Sequence, residues 1–425
     1  MKTSVETMQP RRAPRSGQRP GRLLGSPLGS PLGSLLGSLL GSLLAVCTLL
    51  MLLPSCGGSG GVDSGGTGAT PTLAVGPISG FGSIVVAGVH YDESAAVIVD
   101  GDGQPLSATA LTLGSMTRID ASAVTTLGTR SDARAQTIRV AEALLGAVEA
   151  VDTAAQTARV LGQTVAITPG TVFEASLSGG LAALRPGTVI AVHGQLDSSA
   201  ARVVSTRIEP RSGVSRYLVR GAVSSLDRTA LRLSIGALVV NLAEAGALPA
   251  TLAPGSIVRL KLRTTAVAGV WAATELRLDD QPLPDRDNVE IEGRVSAFTS
   301  AQRFSIDGSA VDASSASFSG GALALGVRVE VEGRSSNGMI VARRVAVDAE
   351  EGGGNEAIEL EGRITAIDTS ARTFVLRGVT VSYAGNVSYV VGSAADLALN
   401  RQLAVKGRLA ADRSHVDATS IHIEL

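Results

Sequence analysis

The sequence predicts an all-β protein built from about five tandem small barrels behind a leader and a flexible tether. Three observations lead to it. A short motif, apolar–x–Gly–x–Val/Ile–x–x–apolar, recurs in LLGAVEAVD, LVRGAVSSLD, IEGRVSAFT and LEGRITAID, with glycines at Gly146, Gly221, Gly293 and Gly362. Steps of about 70 residues mark tandem structural units, too long for a solenoid repeat and suited to a small barrel. Apolar and polar residues alternate with period two through most of the chain, the signature of strands buried on one face. Helical periodicity is nearly absent; only ASLSGGLAAL (Ala175–Leu184) has room for a single turn.

The chain opens with residues 1–55, read as a signal segment. Lys2, Arg11, Arg12, Arg15, Arg19 and Arg22 stand against one acid, Glu6, ahead of a low-complexity LLGS/PLGS repeat and the apolar run Leu43–Leu53. A basic end followed by a short apolar core is the pattern of an export signal. Leu53-Pro54-Ser55-Cys56 resembles the lipobox of bacterial lipoproteins. That resemblance implies cleavage before Cys56 and a diacylglyceryl group on its sulfur, so that the protein meets the membrane through a lipid anchor. Gly57 in place of Asp favours the outer membrane in such families. The competing readings are a cleaved signal without lipid, and an uncleaved span over Leu35–Leu53, which Gly37, Ser38, Gly41 and Ser42 dilute. Cys47 would leave with the signal, and Cys56 would then be the only cysteine, with its sulfur alkylated; disulfides and thiolate metal sites are excluded.

Residues 56–73 read as a Gly/Ser tether. The rest divides into modules at 74–143, 144–211, 217–280, 288–348 and 357–425, the first divergent. Polar, Gly-, Pro- or acid-rich segments mark three breaks: Pro210–Arg216, Asp279–Asn288 and Asp348–Glu356. No comparable linker separates the first two modules, so these are expected to pack as one body. Each module repeats an order: the glycine motif, a turn, a second apolar run around Gly162, Gly236, Gly308 or Gly378, then L-x-P/L-G-x-x-V-x-V-x-G (Leu184–Gly194, Leu323–Gly333, Leu397–Gly407), then a closing strand. The glycine of the second run is expected at a strand kink. Module three departs from the pattern, reading VRLKLRTTAV where the last glycine would stand.

At this point GFGSIVVAGVHYD and the repeated V-x-G-x-V…V-x-V-x-G resemble bacterial lipoproteins made of DUF5666 domains, a family of unknown function. The resemblance covers roughly residues 76–425. It implies compact five- to six-stranded, OB-like barrels and brings no catalytic residues.

Composition bounds function. The net charge is −1 and aromatic residues make up 3% of the chain. Nucleic-acid partners want clustered Lys and Arg, and sugar or single-strand surfaces want stacking rings; neither is supplied. His90, His193, His415 and His422 fall in separate strands or turns and form no ligand pair. Asp100-Gly101-Asp102-Gly103 lacks the further oxygen ligands of a calcium loop and reads as a turn. Gly80–Ile84 is no phosphate loop, since neither a helix N-terminus nor a Lys-Ser/Thr follows. Glu290 with Glu292, Glu330 with Glu332, and Glu359 with Glu361 lie two apart on strands. They read as solvated faces, paired across strands with Arg294, Arg334, Arg363 and Arg408. Trp271 reads as core, with a binding hot spot as the alternative.

The resulting expectation is an outer-membrane-anchored envelope lipoprotein, periplasmic or surface-facing, of tandem β-barrels. It would act as a non-catalytic binding or spacer protein with no cofactor and no metal, and its partners would be the membrane and another envelope protein or a glycan. An OB-like groove for an oligosaccharide or peptidoglycan strand is the alternative, to be recognised by a ring of exposed aromatics. A hydrolase using paired carboxylates ranks last, to be recognised by a buried pair with one raised pKa.

Overall fold

In the second unit the first strand, Leu144–Asp152, pairs antiparallel with Thr157–Val160, which forms a hairpin with Gln163–Ala166. That strand runs parallel to the last one, Arg202–Pro210, which pairs with Val189–Asp197, and Val189–Asp197 returns to Leu144–Asp152. The ring is closed and has five strands. The same closed ring recurs from Arg286–Ser300 to Met339–Val347 and from Ile358–Asp368 to Val416–Ile423. This computed structural model describes residues 71–128, 130–197, 202–279, 283–348 and 358–424. The leader, Cys56 and nearly all of the tether lie outside the described residues. Helix among the described residues is limited to four short 3₁₀ turns, two of them within Ala175–Leu184.

The first strand of each ring serves two neighbours: its beginning pairs with the penultimate strand and its end with the second. A strand that changes partner must bend, and the recurring glycine sits at the bend. A Cβ on Gly146 would stand 2.7 Å from Leu161 Cγ, one on Gly221 2.5 Å from Ile235 Cγ2, and one on Gly293 would overlap Ile306 Cγ2. None of the three has a left-handed φ, so the requirement is space, already filled by a branched side chain from across the hairpin. Gly362 is looser, with Arg377 Cγ 3.2 Å away.

The second apolar run is two strands rather than one kinked strand. Its glycine belongs to the two-residue hairpin between them, as at Asp307 (φ 47°) and Gly308 (φ 91°). Paired positive φ matches the right-handed twist of the flanking strands, which is why Asp-Gly suits the position.

A bulge recurs where the penultimate strand meets the last. The register slips at Asp120/Ala121, His193/Gly194, Lys261/Leu262, Glu332/Gly333 and Lys406/Gly407, leaving one extra residue on the last strand each time. Bulges bend the strand and increase its twist, as a small ring needs. At Gly407 a Cβ would stand 2.6 Å from the Asp417 carbonyl oxygen, and at Gly194 and Gly333 it would overlap those of Val204 and Val341. Unit three keeps the bulge with buried Leu262 there, and unit one with Ala121. The bulge is the constant, and glycine is one way to hold it.

Units one and three have the same strand order with an interrupted first strand. In unit three Tyr217–Ala222 stops before Ser225–Asp227; in unit one Thr72–Pro77 stops before Ile84–Val86. First strands also join units. Thr72–Pro77 runs parallel to Arg286–Ser300 of unit four, merging both units into one 13-stranded sheet. Leu144 and Leu145 pair with Val219 and Leu218, merging units two and three into a 12-stranded sheet with a common hydrophobic core. Unit one shares its core with unit five. The first two units, expected to pack as one body, belong to different sheets and cores, although they touch where Arg207 of unit two donates to the Leu113 carbonyl of unit one at 3.2 Å.

Candidate functional site

Phe81 and its flanking glycines explain the break in the first strand of unit one. The Phe81 N–H donates to the Glu359 carbonyl at 2.8 Å, and the Glu361 N–H donates back to the Phe81 carbonyl at 2.6 Å. The ring is buried in the core shared with Leu360, Ile364 and Phe374, beneath the Arg377 guanidinium. A Cβ on Gly80 would lie 2.6 Å from the Glu359 carbonyl oxygen, and one on Gly82 2.9 Å from Glu361 Cβ. The run is a docking segment that takes strand pairing away from its own unit.

The glutamate face is only partly the solvated surface expected. Register places Glu290 opposite Glu332 and Glu292 opposite Glu330, so like charges face each other across two strands, an arrangement that costs stability. Arg344 donates to Glu332 (Nε, 2.9 Å) and Arg328 to Glu292 (Nε, 3.1 Å); these counter-charges come from the penultimate and last strands. Of the arginines expected in that role, Arg294 donates to the Gly326 carbonyl and Arg363 to the Asn400 carbonyl. Glu290 is covered by unit one, with the Tyr91 hydroxyl 3.4 Å from its Oε2. Burial first, then the charges of Glu332 and Glu330, push its pKa up from 4.5 to about 7. Burial and neighbouring acids also raise Glu330, and the Tyr91 phenol is pushed up by burial and by Glu290. Glu359 is bound by Lys406 at 2.6 Å.

The histidines remain apart. His193 is buried, with Nδ1 3.2 Å from the Ala141 carbonyl and Nε2 3.5 Å from Glu209. Glu209 also accepts from Arg207 at 3.1 Å and from Arg211. Although burial opposes it, these cations and His193 hold the Glu209 carboxyl far below the usual range. His90 Nδ1 is buried without a hydrogen-bond partner among the described residues, and burial lowers the His90 pKa. His415 lies between Asp412 and Asp417 in the last turn. Among the described residues no cluster of His, Cys, Asp and Glu has metal-site geometry. Trp271 packs on the core of units two and three with Tyr217, centroids 5.8 Å apart. Among the described residues the exposed aromatics are Phe298 and Phe318, which build no ring around a groove.

The Asp100–Gly103 segment is a turn, with Asp100 Oδ1 accepting from the Asp102 and Gln104 N–H groups at 2.8 Å. Its tip reaches unit three, where Asp102 meets Lys261 at 2.8 Å. Beside it a cavity of about 530 Å³ opens between units one to four, lined by Arg118, Arg139, Arg220, Arg259 and Arg277 together with six carboxylates. Sequence reading did not single out these arginines. They sit on separate strands of two units, and no local spacing joins them.

Residues 146–209, 292–346 and 361–422 match a family described as "Domain of unknown function (DUF5666)". The three matched segments are the three units whose rings close, and the unmatched ones are those with interrupted first strands. No curated protein matches the chain. The solved structure named "drosophila Unr CSD456" is similar at 13% identity and a TM-score of 0.12, over 49% of this chain and 97% of that one. A likeness at that score carries no argument.

Proposed function

With tandem DUF5666 domains as its building units, we propose that this protein is a membrane-anchored cell-envelope lipoprotein, a non-catalytic binding or spacer body held on a tether. One observation supports the body: first strands pair across unit boundaries, so the units form continuous sheets rather than beads on a string. Long ladders and shared cores resist relative motion, as a spacer or a preformed binding surface requires. The anchor rests on Leu53–Cys56 and the basic, apolar leader ahead of it. Acyl chains contribute ~0.8 kcal/mol per buried CH₂, so more than one chain on Cys56 gives firm residence where one would be marginal. Fractionation of cells expressing Cys56→Ala tests it. The unaltered protein should stay in the membrane fraction through a high-salt wash while the variant is released or accumulates unprocessed. A variant that fractionates with the membrane refutes the anchor.

A carboxylate hydrolase is the second reading, favoured by the raised pKa of Glu290 opposite Glu332. Against it, Tyr91 covers Glu290 while Arg344 and Arg328 engage Glu332 and Glu292. These acids are committed to contacts between strands and units. Among the described residues the exposed aromatics, Phe298 and Phe318, form no stacking platform of the kind the glycan-groove reading needs.

A further inference from the structure

Cross-strand register in the cavity between units one to four sets guanidinium against guanidinium. Arg118 faces Arg139, and Arg259 stands between Arg220 and Arg277. The carboxylates there are mostly engaged: Asp279 and Asp307 by Arg220, Asp102 by Lys261, Asp120 by Arg286, and Glu292 by Arg328. Glu142 stands 3.8 Å from Arg211 and 3.9 Å from Arg259.

Among the described residues, three cations of this cavity remain without a carboxylate at hydrogen-bonding distance. Arg139 donates to the Asp100 carbonyl at 3.0 Å, Arg259 to the Glu142 carbonyl at 2.9 Å, and Arg118 makes no hydrogen bond among the described residues. Arg259 is 8% exposed, and its buried Nε has no hydrogen-bond partner among the described residues. Burial, and then the charges of Arg139 and Arg286 against that of Asp120, hold the Arg118 pKa below its ordinary value. Gly101 makes the convergence possible: a Cβ there would stand 2.6 Å from an Arg259 guanidinium nitrogen, while Arg139 reaches its carbonyl at 3.5 Å.

Guanidinium forks matched to oxygen pairs are the chemistry of phosphate and carboxylate recognition, and a cavity of this size suits a small molecule. We propose that this cavity binds a small ligand through an oxyanion, a phosphate or carboxylate group seated among Arg118, Arg139 and Arg259. The site deepens the binding half of the proposed function without needing the anchor, so failure of the Cys56 fractionation leaves it standing.

The test is isothermal titration calorimetry on the full chain in detergent, with inorganic phosphate and citrate as separate probes at constant ionic strength. At least one probe should give saturable binding. Saturation by phosphate alone assigns a phosphate source, and by citrate alone a carboxylate source. Arg118→Gln and Arg139→Gln should each weaken that binding roughly tenfold or more, as expected for loss of a charge-assisted bond. Without probe, Arg118→Gln should melt no lower than the unaltered protein, because it removes one side of a like-charge pair. Arg139→Gln supplies an independent arm should the first variant fold poorly. Absence of saturable binding to either probe, or binding that both variants leave unchanged, overturns the proposal.

Discussion

Glu290→Gln should make the protein more stable at neutral and alkaline pH. The carboxylate stands opposite Glu332 under Tyr91, with its pKa raised from 4.5 to about 7. Above pH 7 both the folded and the unfolded chain carry it ionised, and the folded chain bears the full cost of a buried, repelled charge. Below pH 4.5 both states are protonated and the cost vanishes. Between those limits the folded state binds more protons, so stability falls as pH rises. The displacement corresponds to roughly 3 kcal/mol at the alkaline end, an upper figure because Glu290 retains some solvent contact. Glutamine keeps the size and can still accept from the Tyr91 hydroxyl. Urea unfolding followed by circular dichroism should show the variant ahead by about 2–3 kcal/mol near pH 8 and nearly level near pH 4. Glu330 moves in the same direction and keeps part of the slope in the variant. An advantage that does not change between those pH values, or a variant that is weaker near pH 8, refutes the electrostatic reading.

Gly293→Val should destabilise unit four by roughly 1–3 kcal/mol through overlap with Ile306 Cγ2, and Ile306→Ala in the same chain should recover part of the loss. A double variant as unstable as the sum of the singles would mean that space at Ile306 is not the cause. Val219→Ala, a buried deletion in unit three directly across from Leu144, should cost about 2 kcal/mol and loosen both units that share that core. Hydrogen exchange should quicken together in peptides covering Leu144–Asp152 and Tyr217–Ala222. Acceleration confined to unit three would show that the shared core does not couple them.

The period of the glycine motif and the two-residue alternation were enough to call an all-β chain of small barrels, because both are local demands. Gly146 and Gly293 are needed wherever a first strand bends against Leu161 or Ile306, whatever else the chain does. Even the departure at Leu262 was legible as a change of residue, although only the register shows that the bulge survives it. The hairpin glycines were visible but misplaced, since a two-residue turn inside an apolar run has the same spelling as a kink.

Interactions between units could not be read in this way. Phe81 reads as one apolar residue in a glycine-rich run, and its partners Glu359 and Leu360 lie nearly the whole folded chain away. Glu290 alternates like any solvent-facing strand residue until Tyr91 of another unit covers it. Arg118, Arg139 and Arg259 are unremarkable on their own strands and converge only when units one and three meet. Sequence by itself determined the ring, because bends, turns and alternation are set by residues within one unit. Tertiary structure alone decided which rings share a core and where charges are trapped between them, because burial and Coulomb interaction depend on distance in space and not on separation along the chain.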